Sequence, residues 1–142
     1  MLVYVAGPYR GKSRFRVIRL FQVLRNIWRA GRVAKQLWAK GFVAICPHLN
    51  TFLMDDVCPQ ERFLEGDLEI LRHCDILVTT SGWTQSEGSR REVEFAKQNN
   101  IPVGHGLDIG FRTNPNHWAE GMRRFVERCK REYGSSDRGH RP

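Results

Sequence analysis

The sequence predicts one α/β domain with a parallel sheet covered on both faces, and three observations carry that prediction. Short apolar runs begin near residues 2, 42, 75 and 101, helical patterns separate them, and glycine-rich turns follow two of the runs. Strands this brief and this uniformly apolar suit a sheet buried on both sides, of four or five strands. The 142 residues, 41% of them hydrophobic, are enough for one substantial core.

LVYVA at 2–6 ends at Gly7 and Pro8 and reads as a buried strand entering a turn. From about 17 to 40, Val17, Leu20, Phe21, Leu24, Ile27, Val33, Ala34, Leu37 and Trp38 recur with a helical period. This predicts one long amphipathic helix, or two joined near Gly31. Gly41 stops it, and FVAIC at 42–46 is the second strand, which completes a right-handed crossover unit.

PHLNTFLMDDVCPQ has no sustained period and is expected to be a loop. ERFLEGDLEILRHC is a helix that Gly66 weakens without forbidding. DILVTT is the third strand, SGWTQSEGS its outgoing loop, RREVEFAKQNN a short helix ending near Asn99 or Asn100, and IPVG the next strand. HGLDIGFRTNPN is irregular. HWAEGMRRFVERCKREY forms the last helix, with Trp118, Met122, Phe125, Val126 and Cys129 as its apolar stripe. The domain is thus placed at 1–133, and 134–142 is expected to be a flexible tail with nothing to bury.

Charge is distributed unevenly. The net charge is +8, and no Asp or Glu occurs from Lys12 to Met54. Such a surface attracts phosphates, whether of nucleotides, nucleic acid or lipid headgroups. Its long arginine-rich helix is expected to be a solvated face, a cover for the site, a subunit contact or a nucleic-acid contact. Cys46, Cys58, Cys74 and Cys129 lack the paired spacing of a zinc site, so free thiols in a cytoplasmic setting and no metal are expected. No apolar run approaches the roughly 20 residues that span a bilayer.

The two glycine-rich turns hold the candidate chemistry. GPYRG at 7–11 lacks the spacing of either a dinucleotide fingerprint or a P-loop, yet Gly7 and Gly11 permit close backbone approach and Arg10 can hold a phosphate. In SGWTQSEGSRREVEFA, Ser86, Gly88 and Ser89 stand at a helix start, where free amides favour an anion. Glu92, a turn further on, can face the sheet end, while Glu87 and Glu94 point elsewhere. Asp67 projects toward a substrate or solvates its helix, Asp75 caps or orients a local turn, and His48 and Asn50 follow the second strand where a base or sugar would lie. His73 beside Cys74 has no nucleophile spacing that makes a triad.

Taken together, YVAGPYRG, the PHLNT segment, EGDLEILRHCDILV and GWTQSEGSRREVEFAKQNNIPV resemble the nucleoside 2-deoxyribosyltransferase superfamily over roughly residues 2–104. The likeness is to its small nucleotide N-glycosidase-like and phage-associated branches. The resemblance implies a flavodoxin-like, Rossmann-like three-layer fold, a homodimer, and hydrolysis or transfer at the N-glycosidic bond. It implies Glu92 as nucleophile, Asp67 for proton handling or orientation, and Tyr9 as an aromatic group close to sugar and nucleophile. Gly7, Arg10 and Gly11 would form one phosphate-side loop and Ser86, Gly88 and Ser89 the other, with no cofactor needed.

The chain departs from many members of that superfamily in carrying Trp83 to Ser89 and then two arginines before the glutamate. Arg10, Ser86, Ser89 and Arg90 favour a nucleoside or deoxynucleoside 5'-monophosphate as substrate, with a nucleobase as acceptor if the reaction is transfer. The other expectations are an inactive nucleotide-binding protein and a nucleic-acid-associated protein using residues 12–40.

Overall fold

The computed structural model describes residues 1–52, 54, 56–105 and 115–132, with the side chains at 115–119, 129, 130 and 132 excepted. Trp118, Cys129, the expected irregular segment over 106–114 and the tail lie outside the described residues or side chains. Four parallel strands, β1 (Leu2–Ala6), β2 (Val43–Ile45), β3 (Ile76–Thr79) and β4 (Val103–Gly104), line up in the order β2-β1-β3-β4. Five helices accompany them among the described residues: α1 (Arg16–Ala39), α2 (Pro47–Asn50), α3 (Gln60–Arg72), α4 (Glu87–Gln98) and α5 (Pro115–Glu132).

Strand alternation divides the core in two. Val3, Val5, Ile76 and Val78 face one side and pack with Ala30, Val33, Ala34 and Leu37 of α1 and Met122 and Val126 of α5. Tyr4, Ala6 and Leu77 face the other and pack with Leu71 at the end of α3, Cys74, Val93 and Ala96 of α4, and Ile101. This is a flavodoxin-like three-layer arrangement. Because β1 is flanked by β2 on one side and β3 on the other, strand order reverses there, and a crevice opens beyond the carboxyl ends of β1 and β3.

α1 is a single helix that runs through Gly31, where an added Cβ would already touch Leu49 at 3.4 Å. Gly41, at φ 79°, provides the left-handed residue that ends it, with its amide bonded to the Trp38 carbonyl. The core-facing stripe, however, is Asn26, Ile27, Ala30, Val33, Ala34 and Leu37. Val17, Leu20, Phe21, Leu24 and Trp38, expected on the apolar face, are exposed.

Two boundaries also differ from expectation. Residues 47–50 form α2 rather than loop, since Pro47 at the first helical position pre-sets φ, but four residues are too few to show a period. α4 begins at Glu87, three residues before Arg90, because the Ser86 hydroxyl caps it by accepting from the Ser89 amide at 3.4 Å. Asp75, expected to cap or orient its local turn, makes a long-range bond: its Oδ2 accepts from the Leu2 amide at 2.8 Å and ties the start of β3 to that of β1. Among the described residues, no helix is long and apolar enough to cross a membrane.

Candidate functional site

At the crevice lies a cavity of about 450 Å³, walled by the β1 loop, α2, the first half of α3 and the start of α4. Its chemistry is centred on Glu92, on the second turn of α4 and only 5% exposed. The wholly buried Tyr4, in the middle of β1, donates its phenol hydrogen to Glu92 Oε1 at 2.7 Å. Burial pushes the Glu92 carboxyl up to about 8, and the neighbouring Asp67 charge adds to the rise while the Tyr4 hydrogen bond opposes it. Burial, reinforced by the Glu92 charge, likewise holds the Tyr4 phenol well above its usual range.

Asp67, half-buried on α3, lines the same cavity and is raised by burial to about 6. Two carboxyls with separated proton affinities therefore share one cavity. By these values Asp67 is the carboxyl largely ionised near neutral pH and Glu92 the one that keeps its proton. Glu87 and Glu61 also line the cavity but are exposed, and Glu94 is exposed and accepts from Gln98 Nε2 at 3.2 Å.

The nucleotide-side residues divide in the same way. Gly7, Tyr9, Arg10, His48, Ser86, Gly88 and Ser89 all line the cavity. Gly7 is required by packing, since a Cβ there would collide with the Thr80 hydroxyl, whereas a Cβ at Gly88 would meet nothing within 4 Å. Gly11 and Asn50 stand outside the lining. Gly11 instead lets the loop rest on α1, where a Cβ would come within 2.5 Å of the Arg19 carbonyl. Asn50 is exposed at the end of α2.

His48 is buried, its Nε2 donates to the Gly7 carbonyl at 2.8 Å, and its ring meets that of Tyr9 edge-on at 5.6 Å. Burial lowers its proton affinity, so at neutral pH it is the neutral tautomer with Nδ1 as a free acceptor. His48 Nδ1 and Ser89 Oγ are the two buried side-chain polar atoms without a hydrogen-bond partner among the described residues. Both belong to residues that line the cavity.

Several lining residues are absent from the sequence reading. Phe63 and Leu64 supply an apolar wall, and Arg91 rather than Arg90 lies at the cavity. Tyr4, which lies behind Glu92 and outside the lining, is the most informative omission, and its signal was present: in a strand read as buried, a tyrosine hydroxyl requires a partner. Lys12 Nζ donates to Gln85 Oε1 at 3.2 Å and links the two glycine-rich loops.

A buried glutamic acid held by a strand tyrosine, a second carboxyl in the same cavity, and a capped helix start define a small α/β domain with a two-carboxyl site. Residues 1–105 match the family model described as a domain of unknown function, DUF7768, and the chain belongs to that family. No curated protein matches the chain.

Proposed function

We propose that this protein breaks the N-glycosidic bond of a nucleoside or deoxynucleoside 5'-monophosphate, by hydrolysis or by transfer to another base. The observation that carries the reading is Glu92 in the cavity lining, held from behind by the buried Tyr4, with Asp67 in the same lining. The reacting form is the one in which the proton the two carboxyls share sits on Asp67; in it a Glu92 carboxylate oxygen bonds to the anomeric carbon as the bond to the base nitrogen breaks. The electron pair leaves with the base, and a proton from Asp67 neutralises it. Water or an acceptor base then attacks the same carbon, releases Glu92, and returns its proton to Asp67.

Tyr4 favours the Glu92 anion and fixes which of its oxygens is free. Ser86, Ser89, Arg10, Arg91 and the α4 amides suit the 5'-phosphate, since a helix start and guanidinium groups both favour oxyanions. Phe63, Leu64 and Tyr9 suit a base. Residues from this chain account for each step of the scheme without a cofactor.

A second reading, nucleotide binding without turnover, has one observation in its favour: a carboxyl raised to about 8 is mostly protonated at neutral pH and is then a poor nucleophile. Release of free base from a panel of nucleoside and deoxynucleoside 5'-monophosphates and their nucleosides, with and without an acceptor base, separates the two. The enzyme reading expects base release or exchange that Glu92→Gln abolishes with nucleotide binding retained. Binding without release or exchange across the panel would establish the alternative.

A further inference from the structure

We infer that the outward face of α1 docks on an anionic membrane surface, lying in the headgroup layer without crossing it. At roughly 100° per residue, Val17, Phe21, Leu24 and Trp28 fall in one stripe on the side of α1 opposite its buried stripe, and all four are exposed, Phe21 by 68% and Trp28 by 64%. Solvent-facing helix positions are normally polar. Leu20 widens the stripe, and Leu49 of α2, packed beside Gly31, prolongs it across the surface. Residues 16–25 of α1 include no buried side chain, so this end of the helix stands clear of the core. None of these residues lines the cavity, which keeps the inference separate from the proposed chemistry.

The area is too large for chance exposure. With about 150–250 Å² per aromatic side chain, these six residues offer roughly 650 Å² at the observed exposures, above the about 300–600 Å² of the largest patch on a typical monomer. Composition then separates lipid from nucleic acid. Val17, Leu20 and Leu24 have no ring on which a base could stack and no group that reads a base edge. Aliphatic side chains along one line of a helix, with tryptophan and arginine beside them, are instead what an interfacial helix lays into the boundary between headgroups and acyl chains.

Charge fixes the sign of the partner. Nine Lys and Arg and no Asp or Glu lie between Lys12 and Met54, so this segment carries +9 and the rest of the chain −1. Arg25 and Arg32 border the stripe along one side and Lys35 continues its line beyond Trp28; all three are exposed, and among the described residues none of them pairs with a carboxylate. Arg32 holds its guanidinium over the Trp28 ring at 5.5 Å, so one pair of side chains offers a ring to the acyl boundary and a fork of donors to a lipid phosphate. The start of α1 adds to this: Phe15 makes no side-chain cap, and the first turn carries Arg16 and Arg19 with no acidic residue. Cations at the positive end of a helix are unfavourable, and lipid phosphates relieve that repulsion. A second copy of this chain would bring the same cations to the contact.

Co-sedimentation of the full chain with vesicles of mixed phosphatidylglycerol and phosphatidylcholine, and with vesicles of phosphatidylcholine alone, tests the inference. The expected result is binding to the mixed vesicles at least about 30-fold tighter than to the neutral ones, weakening as salt rises. Phe21→Ser and Trp28→Ser should each weaken it at least about 10-fold, and Arg25→Ala combined with Arg32→Ala about 30-fold. Because these positions are exposed, the variants should keep the wild-type circular dichroism and melt. Failure to bind the mixed vesicles would overturn the inference; a single-stranded oligonucleotide complex, or a dimer in sedimentation velocity, that the same substitutions abolish would then assign the face to nucleic acid or to a second copy. Vesicle binding indifferent to Phe21→Ser and Trp28→Ser, or equally tight on neutral vesicles, would also overturn it.

Discussion

Replacing Glu92 by glutamine should stabilise the protein, increasingly as pH rises from about 4.5 to about 8. Because burial raises the folded carboxyl from 4.5 to about 8, the native state keeps a proton that the unfolded chain loses near pH 4.5. Stability therefore falls as pH rises through that window and levels off above about 8. At about 1.4 kcal/mol per pH unit, the full span corresponds to about 5 kcal/mol at most, and solvent penetration on ionisation brings it nearer 3. Glutamine keeps the acceptor for Tyr4 and cannot ionise. Thermal melts from pH 5 to 9 should give nearly equal Tm values for both proteins at pH 5 and a variant higher by roughly 10 °C at pH 9. Parallel curves across the range would show that Glu92 is not the buried acid described here.

Other perturbations probe the site from different directions. Tyr4→Phe removes a buried donor and should cost about 1–2 kcal/mol of stability; under the proposed chemistry it should also lower kcat about 10- to 100-fold and move the falling limb of the pH profile, the one nearer the Glu92 value, upward, since the lost bond favoured the anion. The two carboxyls share a single proton between about pH 6 and 8, so kcat/KM should be bell-shaped with those limits, whichever carboxyl carries the proton. A profile flat from pH 5 to 9 would contradict that. Arg91→Ala should raise KM for a 5'-monophosphate about 10-fold or more while leaving that for the matching nucleoside unchanged; equal effects on both would remove Arg91 from phosphate binding.

The layers of the fold were legible because β1 and β3 are continuous apolar runs and α1 and α3 are long enough to show a period. α2 was not, because four residues hold barely one turn. The early start of α4 was hidden because Ser86, Glu87 and Gly88 read as loop residues until Ser86 is seen to cap them. Glu92 and Asp67 could be named from the chain, but the tyrosine that holds Glu92 could not. Tyr4 and Glu92 are 88 positions apart, and only the pairing of β1 with β3 brings α4 over the Tyr4 side of the sheet. The outward stripe of α1 shows a different limit. Periodicity finds an apolar face but does not say whether the core or another molecule covers it, and on this helix both kinds are present.

The central claim is that Glu92 bonds to the sugar. Acid quenching during turnover of the best 5'-monophosphate, followed by mass spectrometry of the intact chain and its peptides, tests this directly. The account predicts a sugar-phosphate adduct on the peptide containing Glu92, absent in Glu92→Gln. Base release that continues undiminished in Glu92→Gln, with no adduct in the wild type, would contradict it.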